Sequence, residues 1–422
     1  MHITMRIQQK LQQERARADA YAMPLDKIDV SKGELFEHDI QDPYFERLRK
    51  EDPVHHCAAS AFGPYWSVTK FNDIMKVETS HKIFSSEGNI VIGDQSPDFA
   101  PGNFISHDPP LHDVQRAAAT PAVSPMRLSE LEALIRQRAG AILDAVPRNE
   151  TFNWVEHVSI ELTTQMLATL FDFPFEDRHK LPYWSDVATS SELVGNATLT
   201  EDQRKGIMME CLAYFTALWQ ERAAKPPAGD FVSLLAHNPQ TKDMINDPME
   251  FLGNLILLII GGNDTTRNSI SGGVLALNEN PDEYRKLLAD PGLIPKMVPE
   301  IIRWQTPLLH MRRTALQETE LGGKQIKKGD KVVMWYISGN RDDEVIEYAN
   351  SFVIDRANPR HHLAFGFGIH RCMGNRVAEM QLRILWEEIL KRFQKIELMG
   401  DPVRIRSNFV RGITELPVRI AA

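Results

Sequence analysis

The stretch Phe365-Gly366-Phe367-Gly368-Ile369-His370-Arg371-Cys372-Met373-Gly374 decides how this chain is read. It places one cysteine in a short, glycine-punctuated loop, and a helical pattern from Gly374 to Phe393 follows at once. Backbone N–H groups in such a loop can hydrogen-bond a thiolate sulfur, and the positive end of the next helix lowers its basicity further. Gly366 and Gly368 permit turns and let the backbone approach a flat group, while Phe365 can cover the sulfur. A cysteine held in this way is suited to ligate a metal as a shielded thiolate. A free cysteine in a glycine-rich turn would not need Phe365, Gly366, Gly368, His370 and Gly374 in register with it.

Upstream, Met249 to Asn280 runs without proline until Pro281 and reads as one long, largely buried helix. Its middle is flawed: Gly261-Gly262-Asn263-Asp264-Thr265-Thr266. Each helix-interior glycine costs roughly 1 kcal/mol against alanine, and threonine hydroxyls compete for backbone carbonyls. A helix–helix crossing, a break between two helices, or a groove over a bound group would each account for the flaw.

The cysteine loop resembles the haem-binding signature of the cytochrome P450 family, Phe-Gly-x-Gly-x-His/Arg-x-Cys-x-Gly, and Gly261 to Thr265 is similar to that family's Ala/Gly-Gly-x-Asp/Glu-Thr. The resemblance implies that Cys372 ligates the iron of haem b and pushes electron density onto it. It makes Phe365, Gly366 and Gly374 the frame of the cofactor and His370 a propionate ligand. Asp264 would relay protons and Thr265 would hydrogen-bond the activated oxygen, which is general-acid work through a water chain.

Three further motifs follow in the family's order. Glu300 and Arg303 stand at i and i+3 on one helix face, where an isolated pair would be a solvated contact of little worth. Ahead of Pro307 and strand-forming residues, they resemble the family's Glu-x-x-Arg. That pair is expected to lock structurally to Arg356 in Phe352-Val353-Ile354-Asp355-Arg356. His112 and Arg116, after Asp108-Pro109-Pro110, match His-x-x-x-Arg, and a dianionic porphyrin edge needs such cationic donors. Arg313 takes the place of another propionate arginine, with Arg312 beside it as the competing choice. His362 belongs to the lead-in of the cysteine loop, and His55-His56 read as surface.

The 422 residues are 43% hydrophobic, with 48 basic against 57 acidic residues and a formal charge of −9. That balance excludes a nucleic-acid coat or a polybasic membrane anchor. The N-terminus has no apolar core of a signal, and the longest aliphatic run, Leu255 to Ile260, is far short of the roughly 20 residues that span a bilayer. A soluble, cytoplasmic protein is expected. Cys57, Cys211 and Cys372 are too scattered for a disulfide framework.

Periodicity gives a polar, exposed helix over 5–20 in an N-terminal extension (1–41), and a helix from Tyr44 to Lys50. Short strand-like pieces around Pro64 to Thr69 and a long loop over 86–110 follow. Helices run Arg127 to Val146, Val155 to Phe171 and Glu201 to Ala224, and strands Arg312 to Leu316 and Lys331 to Ile337. The fold class is mainly α with a minor β portion. The resemblance implies one domain over 1–422, a triangular prism with haem between the long distal helix and the proximal cysteine loop.

It also implies a monooxygenase that inserts one O₂ oxygen into an unactivated C–H bond of an apolar small molecule. The long-helix and cysteine-loop segments look like those of bacterial P450s that hydroxylate the terminal carbon of n-alkanes and fatty acids. Such chemistry demands a narrow apolar channel that presents a methyl group end-on. Leu257, Gly261, Leu308 and Leu309 are the candidate substrate contacts, and residues 86–105, 172–200 and Thr306 to Met311 are expected to set substrate choice. A hydroxylase of terpenoids or other bulky substrates, an H₂O₂-driven peroxygenase and a haem-thiolate ligand sensor are the alternatives. The last two would not need Asp264 and Thr265 in this helix. No flavin or iron–sulfur domain follows Cys372. Electrons are therefore expected from a [2Fe–2S] ferredoxin and its NAD(P)H-dependent reductase, with Arg371, Arg376 and Arg127 as contacts.

Overall fold

Residues Pro248–Glu279 form a single helix, and the remaining elements are arranged around it. Pro248 sits in its first turn, where a missing N–H costs nothing, and the Asp247 side chain accepts from the Glu250 N–H at 3.2 Å. At 1.5 Å per residue its 32 residues extend about 48 Å. It stops where Pro281 opens the next helix, Pro281–Ala289. The glycine pair leaves it unbroken.

The computed structural model describes residues 2–96, 98–190 and 197–421. Position 97 of the 86–105 loop and positions 191–196 of the 172–200 segment, both expected to set substrate choice, lie outside the described residues. Helices Pro125–Ala145, Glu161–Phe171, Lys180–Thr189, Glu201–Ala223, Ile294–Gln305 and Asn375–Arg392 pack their apolar faces into one large core with the long helix. Trp154, Trp184, Trp386, Phe171 and Phe215 are fully buried there. Each such aromatic buries roughly 150–250 Å², so these rings carry much of the core's hydrophobic stabilisation.

The β portion stands beside this helical body. A five-stranded sheet has the order Val54–Cys57, Tyr65–Val68, Lys331–Trp335, His310–Ala315, Phe84–Ser85, and only the Tyr65–Val68 and Lys331–Trp335 pair is parallel. Thr151–Asn153, Pro417–Ile420 and Ile396–Leu398 make a second, antiparallel sheet. Between Thr319–Leu321 and Lys324–Ile326, Gly322 (φ 56°) and Gly323 (φ 75°) supply the two left-handed positions of a tight hairpin turn. Among the described residues, no helix is long and apolar enough to cross a membrane.

Three expectations are corrected. The N-terminal helix, His2–Ala22, is not exposed all round: Ala16 and Ala20 are buried and Arg17 pairs with Glu46 of the helix Asp42–Glu51. Alanines are too small to print an apolar stripe on the sequence. His55 is not on the surface but buried, bonded to Asp52 at 2.9 Å and to the Ile28 carbonyl at 3.0 Å; His56 next to it is exposed, as strand alternation requires. The strand expected to reach Ile337 ends at Trp335, and Tyr336–Gly339 turns helical, which swings the Tyr336 hydroxyl onto the buried Glu78 carboxylate.

Candidate active site

The cysteine loop closes on itself when the Cys372 N–H donates to the Phe365 carbonyl at 2.8 Å. Gly366 (φ 64°) and Gly368 (φ 66°) take left-handed conformations that disfavour any side chain. At Gly368 there is also no room, since a Cβ would lie 2.3 Å from the Glu78 carbonyl oxygen. Gly374 has an ordinary φ of −87°, and a Cβ there would stand 3.9 Å from the Cys372 sulfur. The loop thus packs against the end of the helix Phe71–Thr79 and delivers its sulfur to one wall of an apolar cavity. Cys372 is accessible from that cavity while its thiol is otherwise enclosed by protein. Burial pushes the thiol pKa up; the Gly374 N–H, Arg116 and Arg371 pull in the other direction.

The facing wall is the flawed part of the long helix, with Leu257, Gly261, Thr265 and Thr266 in the lining. The two glycines differ in role. A Cβ on Gly261 would meet nothing within 4 Å, so this residue opens the cavity, whereas one on Gly262 would collide with the Leu167 side chain at 2.6 Å, so that residue permits helix packing. The Thr265 hydroxyl donates to the Gly261 carbonyl at 2.8 Å.

Asp264 faces away from the cavity and is fully buried. Its Oδ1 accepts from Asn263 at 3.0 Å and pairs with Arg267 at 2.8 Å, and Arg267 in turn reaches Asp186 of the helix Lys180–Thr189 at 2.9 Å. Oδ2 closes no hydrogen bond among the described residues, although the Ser185 hydroxyl is near enough to lower the pKa slightly. Burial raises the Asp264 carboxyl to about 6, with Arg267 opposing and Asp186 adding to the rise.

At the cavity's polar edge stand Arg116, Arg313 and His370. Strand alternation separates the arginine pair: Arg313 turns to the cavity and bonds Glu78 at 2.8 Å, while Arg312 turns away to Asp94 at 2.7 Å. Arg116 donates to the Arg371 carbonyl at 2.5 Å and has no carboxylate partner among the described residues. His370 bonds Ser86 at 2.9 Å, and the His112 ring, 4.4 Å from it, lies behind it. Nδ1 of His370 and Nε2 of His112 are buried without a partner among the described residues. Burial, Arg313 and His112 hold the His370 pKa far below its ordinary value.

Glu300, Arg303 and Arg356 meet in a buried cluster. Arg303 donates twice to Glu300 (2.7 and 2.8 Å) and to the carbonyls of Asn340, Ala349 and Ser351 (2.7, 2.8 and 2.9 Å). Arg356 reaches the same carboxylate at 2.8 Å. Asn340 then accepts the Leu363 N–H at 2.7 Å, just ahead of the cysteine loop.

Of the expected substrate contacts, Leu257, Gly261 and Leu308 line the cavity and Leu309 does not. Leu309 is fully buried in another core with Phe36, Phe45 and Trp335, because neighbouring residues of an extended segment point to opposite sides. Arg127, expected to meet a redox partner, is held by Glu130 at 3.0 Å; Arg371 is half-buried and Arg376 exposed. Glu78, bonded to Arg313, and Tyr336, bonded to Glu78, also belong to this edge of the site and carry no mark in the sequence. Neither belongs to a recognisable motif, and their mutual contact spans 258 residues.

A mainly helical fold with one cysteine facing an apolar cavity, and cations along one edge of it, defines a haem-thiolate class of protein. The cytochrome P450 family model matches residues 292–419. Linalool 8-monooxygenase of Pseudomonas putida is 35% identical over 93% of this chain and 99% of its own length. The methyl-branched lipid omega-hydroxylase of Mycobacterium bovis is 32% identical over 92% of this chain and 94% of its own. The solved structure of cytochrome P450-153 from Novosphingobium aromaticivorans superposes with a TM-score of 0.87 at 45% identity, covering 93% of this chain and 99% of that one. That of CYP153D17 from Sphingomonas sp. PAMC 26605 gives 0.88 at 47% identity, with the same coverage. The chain belongs to the cytochrome P450 family. It is a P450 monooxygenase, and the family implies a thiolate-ligated haem. The residues present fit that group: a sulfur at the cavity wall, two arginines lining it and two orphaned histidine nitrogens form a donor set for iron and for two carboxylates.

Proposed function

We propose that this P450 hydroxylates the terminal carbon of medium-chain linear alkanes or fatty acids. The observation that carries the reading is the apolar lining of the cavity and its continuation into a neighbouring chamber. The inner chamber runs from Cys372, where the haem would lie, to Thr265, and a second chamber adjoins it, sharing Ile90, Ile105, Leu257, Gly261, Leu308 and Met311. Two adjoining, mainly apolar chambers suit a long molecule that leaves its methyl group on the Thr265 side. The omega-hydroxylase and CYP153 relatives support this choice. The linalool 8-monooxygenase relative favours a branched terpenoid as the competing substrate.

Cys372 would hold the haem b iron, Arg116, Arg313 and His370 its propionates with His112 behind, and Phe365, Gly366 and Gly374 would frame it. Bound there, the haem supplies the activation of O₂. The protein's own contribution is positional. Leu257, Gly261 and Leu308 exclude water and fix the terminal methyl near Thr265. Thr265 holds its proton on the Gly261 carbonyl and can turn it to an acceptor in the cavity. Asp264, at a pKa of about 6, can take up and release a proton near neutral pH behind the cavity wall, next in the chain to Thr265. Glu300, Arg303 and Arg356 hold the chain leading to the cysteine loop. We read residues 1–422 as one such unit. Its electrons come from a [2Fe–2S] ferredoxin and an NAD(P)H-dependent reductase, with Arg371 and the exposed Arg376 facing the acidic partner.

Turnover of octane, dodecanoate and linalool with ferredoxin, reductase and NADH tests the reading, with products resolved by gas chromatography. Terminal alcohols are expected from the linear compounds. Exclusive oxidation of linalool, or mainly internal alcohols from octane, would overturn it.

A further inference from the structure

We propose that Arg204 anchors a substrate carboxylate at the outer end of the cavity, so that ionised linear fatty acids, and not alkanes alone, are substrates. The proposal rests on the terminal-hydroxylation reading above. Among the described residues that line the outer chamber, Arg204 alone is charged. It stands in the second turn of the helix Glu201–Ala223 and its side chain is only 11% exposed. Its guanidinium lies 5.3 Å over the Phe99 ring, which fixes it at the chamber wall.

The geometry of the two chambers makes this position matter. A chain whose methyl lies beside Thr265, on the side of the haem site away from Cys372, extends its other end toward the outer chamber. Gln95, Asn103, Thr189 and Arg204 line that chamber among apolar residues. An alkane could use none of these polar groups. A carboxylate could use a guanidinium fork, the strongest such contact a side chain offers.

Arg204 is already engaged. Nε and Nη2 bond the Glu201 carboxylate at 3.0 and 2.6 Å, and Nη1 makes no hydrogen bond among the described residues. Glu201 is 46% exposed, and water and salt screen a pair with such an open partner, so it holds the guanidinium only weakly. A carboxylate delivered by a buried chain can therefore share or displace it at little cost.

The test uses purified, haem-loaded protein and the low-to-high-spin absorption change on adding dodecanoate, methyl dodecanoate or dodecane. For Arg204→Gln, the dissociation constant of dodecanoate should rise about tenfold relative to the methyl ester. Arg204→Lys should fall between, since a point charge replaces the fork. Glu201→Gln, which frees the guanidinium, should tighten dodecanoate about two- to fivefold relative to the ester. An acid-to-ester ratio unmoved by Arg204→Gln and Glu201→Gln overturns the anchor while leaving terminal hydroxylation intact. If none of the three linear compounds shifts the wild-type spectrum, the anchor and the linear-substrate reading fall together.

Discussion

Replacing Arg303 by lysine should damage this protein more than any exposed charge swap, and by an amount that can be worked out. All five guanidinium N–H groups are used, two on Glu300 and one each on the carbonyls of Asn340, Ala349 and Ser351. Arg303 and Glu300 are both fully buried. A lysine ammonium has three donors converging on one point, so at least two of the five acceptors lose their partner. Each buried group left unsatisfied costs about 1–3 kcal/mol, and breaking a buried pair costs about 3–5 kcal/mol in all. We expect Arg303→Lys to lower the unfolding free energy by roughly 4 kcal/mol, read from urea titration followed by circular dichroism. Because Arg303 holds the Asn340 carbonyl and Asn340 holds Leu363, the damage should reach the cysteine loop as a smaller thiolate-ligated fraction in the reduced, CO-bound spectrum. A variant within about 1 kcal/mol of wild type that keeps the full spectrum would refute this mechanical link.

Three other outcomes follow from single residues. Asp264 titrates at about 6 when folded against an ordinary 3.8, so the folded state carries a proton that the unfolded chain lacks between those values. Stability should therefore rise as pH falls from 7 to 4, by up to about 3 kcal/mol relative to Asp264→Asn; a difference in urea midpoints that stays flat with pH contradicts the assignment. Leu309→Ala should cost about 2–5 kcal/mol with little effect on substrate-induced spin shifts, whereas Leu308→Ala should change those shifts; the reverse pattern would put Leu309 back in the cavity. Gly261→Leu should fold normally, since its side chain enters open space, and should abolish the spin shift with linear compounds; an unchanged titration would show that the substrate lies elsewhere.

Much of the site was legible because glycine and charge leave strong local marks. Positive φ at Gly366 and Gly368 and a cysteine four residues beyond the second required a loop, and no distant partner was needed to see it. The Glu300–Arg303 pair also shows in its spacing, and its burial and five bonds emerged only when residues 340–356 folded over it. What escaped were contacts fixed by tertiary packing. Glu78 meets Arg313 across 235 residues and Tyr336 across 258. Leu308 and Leu309 are chemically alike, and only the path of the chain decides which one faces the cavity. Gly253 carries a hidden constraint as well: a Cβ would lie 1.8 Å from the Gly102 carbonyl oxygen, so the loop over 86–105 lies directly on the long helix, a contact no pattern in either segment betrays.

The absorption spectrum of the reduced protein under carbon monoxide, wild type beside Cys372→Ser, probes the sulfur–iron bond directly. The wild type should give the band typical of thiolate-ligated haem, and the serine variant should lose it while still binding haem through Arg116, Arg313 and His370. A wild-type protein without that band, or a serine variant that retains it, would contradict Cys372 as the iron ligand.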